Sequence, residues 1–87
     1  MGLDYRKLTP AAIVDMFITD CTLPSTRHKY AFAEIYPVFK AYCEQINVGV
    51  PMEDRTFGRF LKLRFQSVRI KGYTHYFLEW RPGIFDV

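Results

Sequence analysis

Residues 54–80 read DRTFGRFLKLRFQSVRIKGYTHYFLEW, and a change of period inside this stretch decides the fold. Through the first twelve residues, Phe57, Phe60 and Leu61 fall on one side of a helix that turns about 100° per residue. Arg55, Arg59 and Lys62 fall within about 60° of one another on the opposite side. After Phe65 the period drops to two. Val68 and Ile70 alternate with Arg69 and Lys71, and Tyr76, Leu78 and Trp80 alternate with His75, Phe77 and Glu79. The glycine in KGYT suits a tight connection between the two alternating runs. The stretch therefore predicts a helix from Glu53 or Asp54 to about Phe65, followed by a β-hairpin. Gly58 costs that helix about 1 kcal/mol relative to alanine, which predicts a close approach of another element there.

Working upstream, two further helical patterns precede this unit. In TPAAIVDMFITDC, Thr9 can cap, Pro10 fills the position that needs no amide hydrogen, and Ile13, Phe17 and Cys21 recur at helical spacing, with Pro24 expected to end the run. A second helix is expected from Ala33 to Asn47, with Ile35, Phe39, Tyr42, Cys43 and Ile46 on one stripe. Pro37 is tolerated only in a first turn, so that helix should begin close to Ala33 or be distorted where it starts. The intervening LPSTRHKYAF has turn chemistry and reads as a loop with at most a short strand at residues 30–32.

A chain of 87 residues, 49% hydrophobic and 17% aromatic, can close one core and not two, so a single domain is expected, its core spanning about residues 9–81. No run reaches the ~18 apolar residues of a membrane span, and MGLDYRKLTP has no signal-peptide core, so the expectation is a soluble, intracellular protein. Cys21 and Cys43 lack CxxC or CxxH spacing and read as small buried groups, with no metal or other cofactor implied. His28 and His75 stand in no catalytic or ligand spacing, Ser25 and Ser67 have no neighbouring base, and no glycine-rich loop could cradle a phosphate. The chain reads as a binding protein and not an enzyme.

The net charge of +3 is unevenly placed. Up to Asn47, Arg6, Lys7, Arg27, Lys29 and Lys40 balance Asp4, Asp15, Asp20, Glu34 and Glu44. From Arg55 to Leu78 there are Arg55, Arg59, Lys62, Arg64, Arg69 and Lys71 and no acid. Three cations spaced i, i+4, i+7 repel one another unless an anion lies against them, and the hairpin cations extend the same surface. A stripe of three alone is most often an ordinary solvated face; a second element of the same sign tips the reading towards a polyanion.

Three helices and a C-terminal hairpin are the layout of a winged helix, an α+β fold. EIYPVFKAYCEQ, TFGRFL and HYFLEW carry a more specific likeness. Over about residues 13–80 the chain resembles the regulatory factor X type winged helix. It is most similar to the relative found at the C-terminus of poxvirus-like primase-helicases of phages and plasmids. The resemblance implies double-stranded DNA binding. Arg69, Lys71 and His75 of the wing would approach bases, and Arg55, Arg59 and Lys62 would hold phosphates. The hairpin here is shorter and has fewer cations than the wings of the transcription factors, which favours backbone contact over base reading.

The expected function is thus a duplex-binding module for replication initiation or regulation on a phage or plasmid-like element. The competing expectation is an adaptor or inhibitor whose basic face pairs with an acidic protein. Tyr73, at the hairpin tip, is assigned no role, because an exposed turn tyrosine usually has none. Ile84, Phe85 and Val87 of the tail would either cover the core edge or contact a partner, including a second copy.

Overall fold

The computed structural model describes residues 9–83. The order is α1 (Pro10–Cys21), β1 (Thr22–Ala31), α2 (Phe32–Gln45), α3 (Asp54–Arg64), β2 (Ser67–Ile70) and β3 (Tyr73–Trp80). The strands form one antiparallel sheet in the order β1-β3-β2. The architecture is α+β, three helices against a three-stranded sheet. None of the helices among the described residues is long and apolar enough to cross a membrane. The tail residues Ile84, Phe85 and Val87 lie outside the described residues, and so does any contact expected of them.

Local chemistry sets the helix ends. Thr9 Oγ1 accepts the Ala12 N–H at 3.2 Å, and Pro10 opens α1. The helix stops at Cys21, three residues before Pro24. Thr22 turns into extended backbone and its hydroxyl donates to the Ile18 carbonyl at 2.7 Å. In α2 the Glu34 carboxylate accepts the Ala31 N–H at 2.9 Å, half of a capping box, which fixes the start at Phe32, one residue from the expected position. Pro37 lies past the first turn, where it withholds one backbone hydrogen bond without ending the helix. Asn47, expected to close α2, instead takes φ 61° just beyond it, a left-handed conformation that suits asparagine at a helix exit.

The segment expected as a loop with a short strand is a ten-residue strand. β1 pairs with β3 in two pieces, Thr22–Pro24 against Trp80–Leu78 and Lys29–Ala31 against Phe77–His75. Between them residues 25–28 bulge out. There Ser25 Oγ accepts the N–H groups of Arg27 (3.1 Å) and His28 (2.9 Å), so the turn chemistry is real but serves a wide bulge. Pro24 is accommodated because β1 is an edge strand.

The core is aromatic. Phe17, Phe39 and Phe57 are fully buried. The Phe39 and Phe57 rings stack at 4.2 Å between centroids, and Phe17 meets Phe39 edge-on at 5.3 Å. Trp80 closes one side, 6.3 Å from Phe17 and 5.6 Å from Tyr30. Cys21 and Cys43 are buried and unbridged. Burial pushes the Cys21 thiol up to about 11, with Asp20 adding to the shift and Arg81 opposing it, and burial also raises Cys43.

Candidate functional site

α3 puts its two faces where its sequence requires. Phe57 and Leu61 are fully buried against the core, while Arg55, Arg59 and Lys62 are exposed. Asp54 in the first turn and Lys62 and Arg64 in the last match the helix dipole. The three stripe cations line one side of an open depression of about 430 Å³ between α3 and the hairpin. Gly72, Tyr73 and Thr74 line the opposite side, and Phe32, Gly58 and Tyr76 form its deep end.

Register decides where the hairpin side chains go. Residues directly opposite in an antiparallel ladder share a face. Arg69 is paired with Thr74 and Ser67 with Tyr76, so Arg69 lies on the face that turns towards α3. Val68 is paired with His75 and Ile70 with Tyr73, which sets Val68, Ile70 and His75 on the far face, while Tyr73, next to the turn, also borders the depression. The alternation is as expected, but Val68 and Ile70 are not the inward residues; Val68 is 38% exposed. Lys71 belongs to the turn and not to a strand. Lys71 and Gly72 have φ 52° and 85°, the two left-handed residues of a two-residue hairpin connection, which sets the Lys71 side chain at the tip.

Of the six residues expected to meet DNA, Arg55, Arg59 and Lys62 gather round the depression, Arg69 is on the hairpin face that turns towards it, and Lys71 is in the hairpin turn, outside its lining. His75 is separated from them by the sheet itself. It sits in the central strand with Nδ1 3.0 Å from the Tyr73 carbonyl oxygen.

Hydrogen bonds and ion pairs distinguish these cations from the rest. Arg64 is paired with Asp15 of α1, Arg81 Nε donates to the Thr19 carbonyl at 2.8 Å, Lys29 Nζ lies 5.8 Å over the Phe77 ring and Lys40 Nζ 5.0 Å over Tyr36. Among the described residues, none of Arg55, Arg59, Lys62, Arg69 and Lys71 has an ion-pair partner, and the side chain of none donates a hydrogen bond. Arg27, on the β1 bulge, is unpaired as well.

Two residues change the charge expected from the sequence. Arg64 faces α1 and leaves the basic surface, and Asp54 joins the depression, its carboxylate accepting the Arg55 N–H at 2.7 Å. Asp54 stands one residue upstream of the acid-free run that begins at Arg55. No local pattern marks Phe32 and Tyr76 as site residues, because they meet Gly58 only through the tertiary fold, and Thr74 reaches the depression only through the hairpin register. Burial raises the Tyr76 phenol, so at neutral pH it is a hydroxyl, donating a long 3.4 Å bond to the Gly58 carbonyl.

The expected close approach at Gly58 is looser than glycine would demand. A Cβ placed there would lie 3.6 Å from Phe32 Cε2 and 3.7 Å from Tyr76 Oη, ordinary van der Waals distances. Packing therefore admits alanine at this position.

Among the described residues no group of three or more His, Cys, Asp or Glu side chains is placed to hold a metal ion. Searches of protein-family models, of curated proteins and of solved structures found no match to this chain.

Proposed function

We propose that the chain is a winged-helix module that binds double-stranded DNA, chiefly through phosphates, with α3 and the β2–β3 hairpin as the contacting elements. The helix-strand-helix-helix-strand-strand order with sheet order β1-β3-β2 supports this reading of the fold. A role in replication initiation or regulation on a phage or plasmid-like element rests on the sequence resemblance described above.

The observation that carries the reading is the set of unpaired cations. Among the described residues, Lys29, Lys40, Arg64 and Arg81 are each held by a carboxylate, a carbonyl or a ring, whereas Arg55, Arg59, Lys62, Arg69 and Lys71 have no such partner. Unpaired cations on two adjoining elements lower the cost of bringing phosphates close, and the fold sets their spacing.

The test is fluorescence anisotropy of labelled duplexes of increasing length at several salt concentrations. Were all six downstream cations to meet phosphate, the logarithmic salt slope would lie near −5; with Arg64 taken up by Asp15 it should be about −4.5, and Arg59→Ala should reduce its magnitude by about 0.9. Binding that strengthens with duplex length through overlapping sites supports the proposal. Absence of duplex binding at low salt, together with saturable binding to an acidic protein at fixed stoichiometry, would favour the protein-adaptor reading of the same face.

A further inference from the structure

The cationic stripe accounts for one side of the depression and leaves its deep end without a role. That end joins three things: the backbone of Gly58, the ring edge of Phe32 that carries Cδ2 and Cε2, and the hydroxyl of Tyr76. Gly58 disfavours the helix that contains it, yet no neighbour is close enough to exclude a Cβ. Its effect is to keep open the bottom of a hollow whose rim carries Arg55, Arg59 and Lys62, and glycine serves where a ligand approaches backbone closely.

A continuous duplex does not use such a hollow. Its phosphates satisfy the rim cations, but its bases are stacked and show only their edges in the grooves, so none enters the hollow to meet the outward edge of the Phe32 ring, which packs on Tyr36 and Phe57 on its inner side. An unstacked nucleotide supplies both parts: a phosphate for Arg59 and Lys62, and a base that meets the aromatic edge while its polar atoms face the Tyr76 hydroxyl. The volume of about 430 Å³ lies within the range of small-molecule sites.

We propose that the depression between α3 and the hairpin receives one unstacked nucleotide of a DNA strand, so that the protein prefers DNA containing an unpaired nucleotide to a continuous duplex. This rests on the DNA-binding reading and deepens it, replacing uniform duplex coverage with a preference for gaps, bulges or single-stranded ends.

The experiment compares a blunt 20-base-pair duplex with the same duplex carrying one unpaired nucleotide, using the full chain at moderate salt. The wild type should bind the second probe about tenfold more tightly. Gly58→Ala, which fills the bottom of the hollow, and Phe32→Leu, which keeps bulk but removes the aromatic edge, should each bring the ratio of the two affinities close to one. Thermal melts establish that both variants are folded. Equal affinity of the wild type for the two probes, or a preference that survives in both variants, overturns the inference while leaving the DNA-binding reading intact. Absence of binding to both probes at low salt sinks that reading itself. Displacement of the probe by micromolar deoxyadenosine monophosphate would show a site for a diffusible nucleotide and would also overturn the proposal.

Discussion

Arg59 and Arg64 stand five residues apart on α3, one turned to the hairpin side and one to α1. Arg64 reaches across to Asp15 and helps to hold α3 on α1, while Arg59, with Arg55 and Lys62, lines an open depression and has no partner among the described residues. The same contrast runs through the molecule. On the α1 side polar groups are tied across elements, with the Tyr42 hydroxyl donating to Asp20 at 2.7 Å and Arg81 to the Thr19 carbonyl. On the α3–hairpin side the charges are left open. One region spends its polar groups on the fold, and the other presents them to solvent, so substitutions in the two should fail in different ways.

The largest expected effect belongs to the inner face of α3. Phe57→Ala removes the ring that stacks on Phe39 and should cost about 3–5 kcal/mol, a large part of the total stability of a small domain. Urea unfolding measures it directly as a lowered midpoint. A loss below about 1 kcal/mol would mean that the aromatic stack is not the centre of the core.

Next comes a pH effect at the buried Cys21 thiol. The folded Cys21 thiol is raised from 9.0 to about 11, so the native state keeps a proton that the unfolded chain releases. The resulting stability is fully present below about pH 9 and is lost as pH rises through about 11. Cys21→Ala should flatten part of this alkaline fall in the midpoint, and a thiol reagent at pH 8 should modify the native protein far more slowly than the urea-unfolded chain.

Gly58→Ala should raise stability by up to about 1 kcal/mol, because the new methyl gains helix propensity at ordinary contact distances. A destabilised variant would show that the packing at Phe32 and Tyr76 has less tolerance than these distances indicate. Smaller still is Arg64→Ala. Both partners of the Arg64–Asp15 pair are substantially solvent-exposed, so its loss should cost only about 0.2–1 kcal/mol.

How much of this could be read from the sequence differs between the same two regions. The two faces of α3 follow from spacing alone, because a helix fixes the direction of every side chain once its period is known. The hairpin was legible as a hairpin, with its glycine turn, but not in its facing. Alternation says that Val68 and Arg69 oppose each other and does not say which of them looks inward. The pairing of Val68 with His75 and of Arg69 with Thr74 settles that, and separates His75 from the other five expected contacts. β1 was largely hidden because the Ser25 bulge interrupts its pairing, so neither alternation nor an apolar run marks it as a strand. The capture of Arg64 by Asp15, 49 residues away, and the meeting of Phe32, Gly58 and Tyr76 are products of tertiary packing that no local pattern encodes.

The central claim, that one side of α3 serves the fold and the other a polyanion, is tested most directly by two variants in the same salt titration. Arg59→Ala/Lys62→Ala and Arg64→Ala are each titrated with a labelled 20-base-pair duplex from low to high salt, beside urea melts of both. The double variant should keep its urea midpoint, with stability within about 0.5 kcal/mol of the wild type, and should reduce the salt slope by about 1.8. Arg64→Ala should do the reverse, lowering stability slightly and leaving the slope unchanged. Equal slopes in the wild type and both variants would contradict the account.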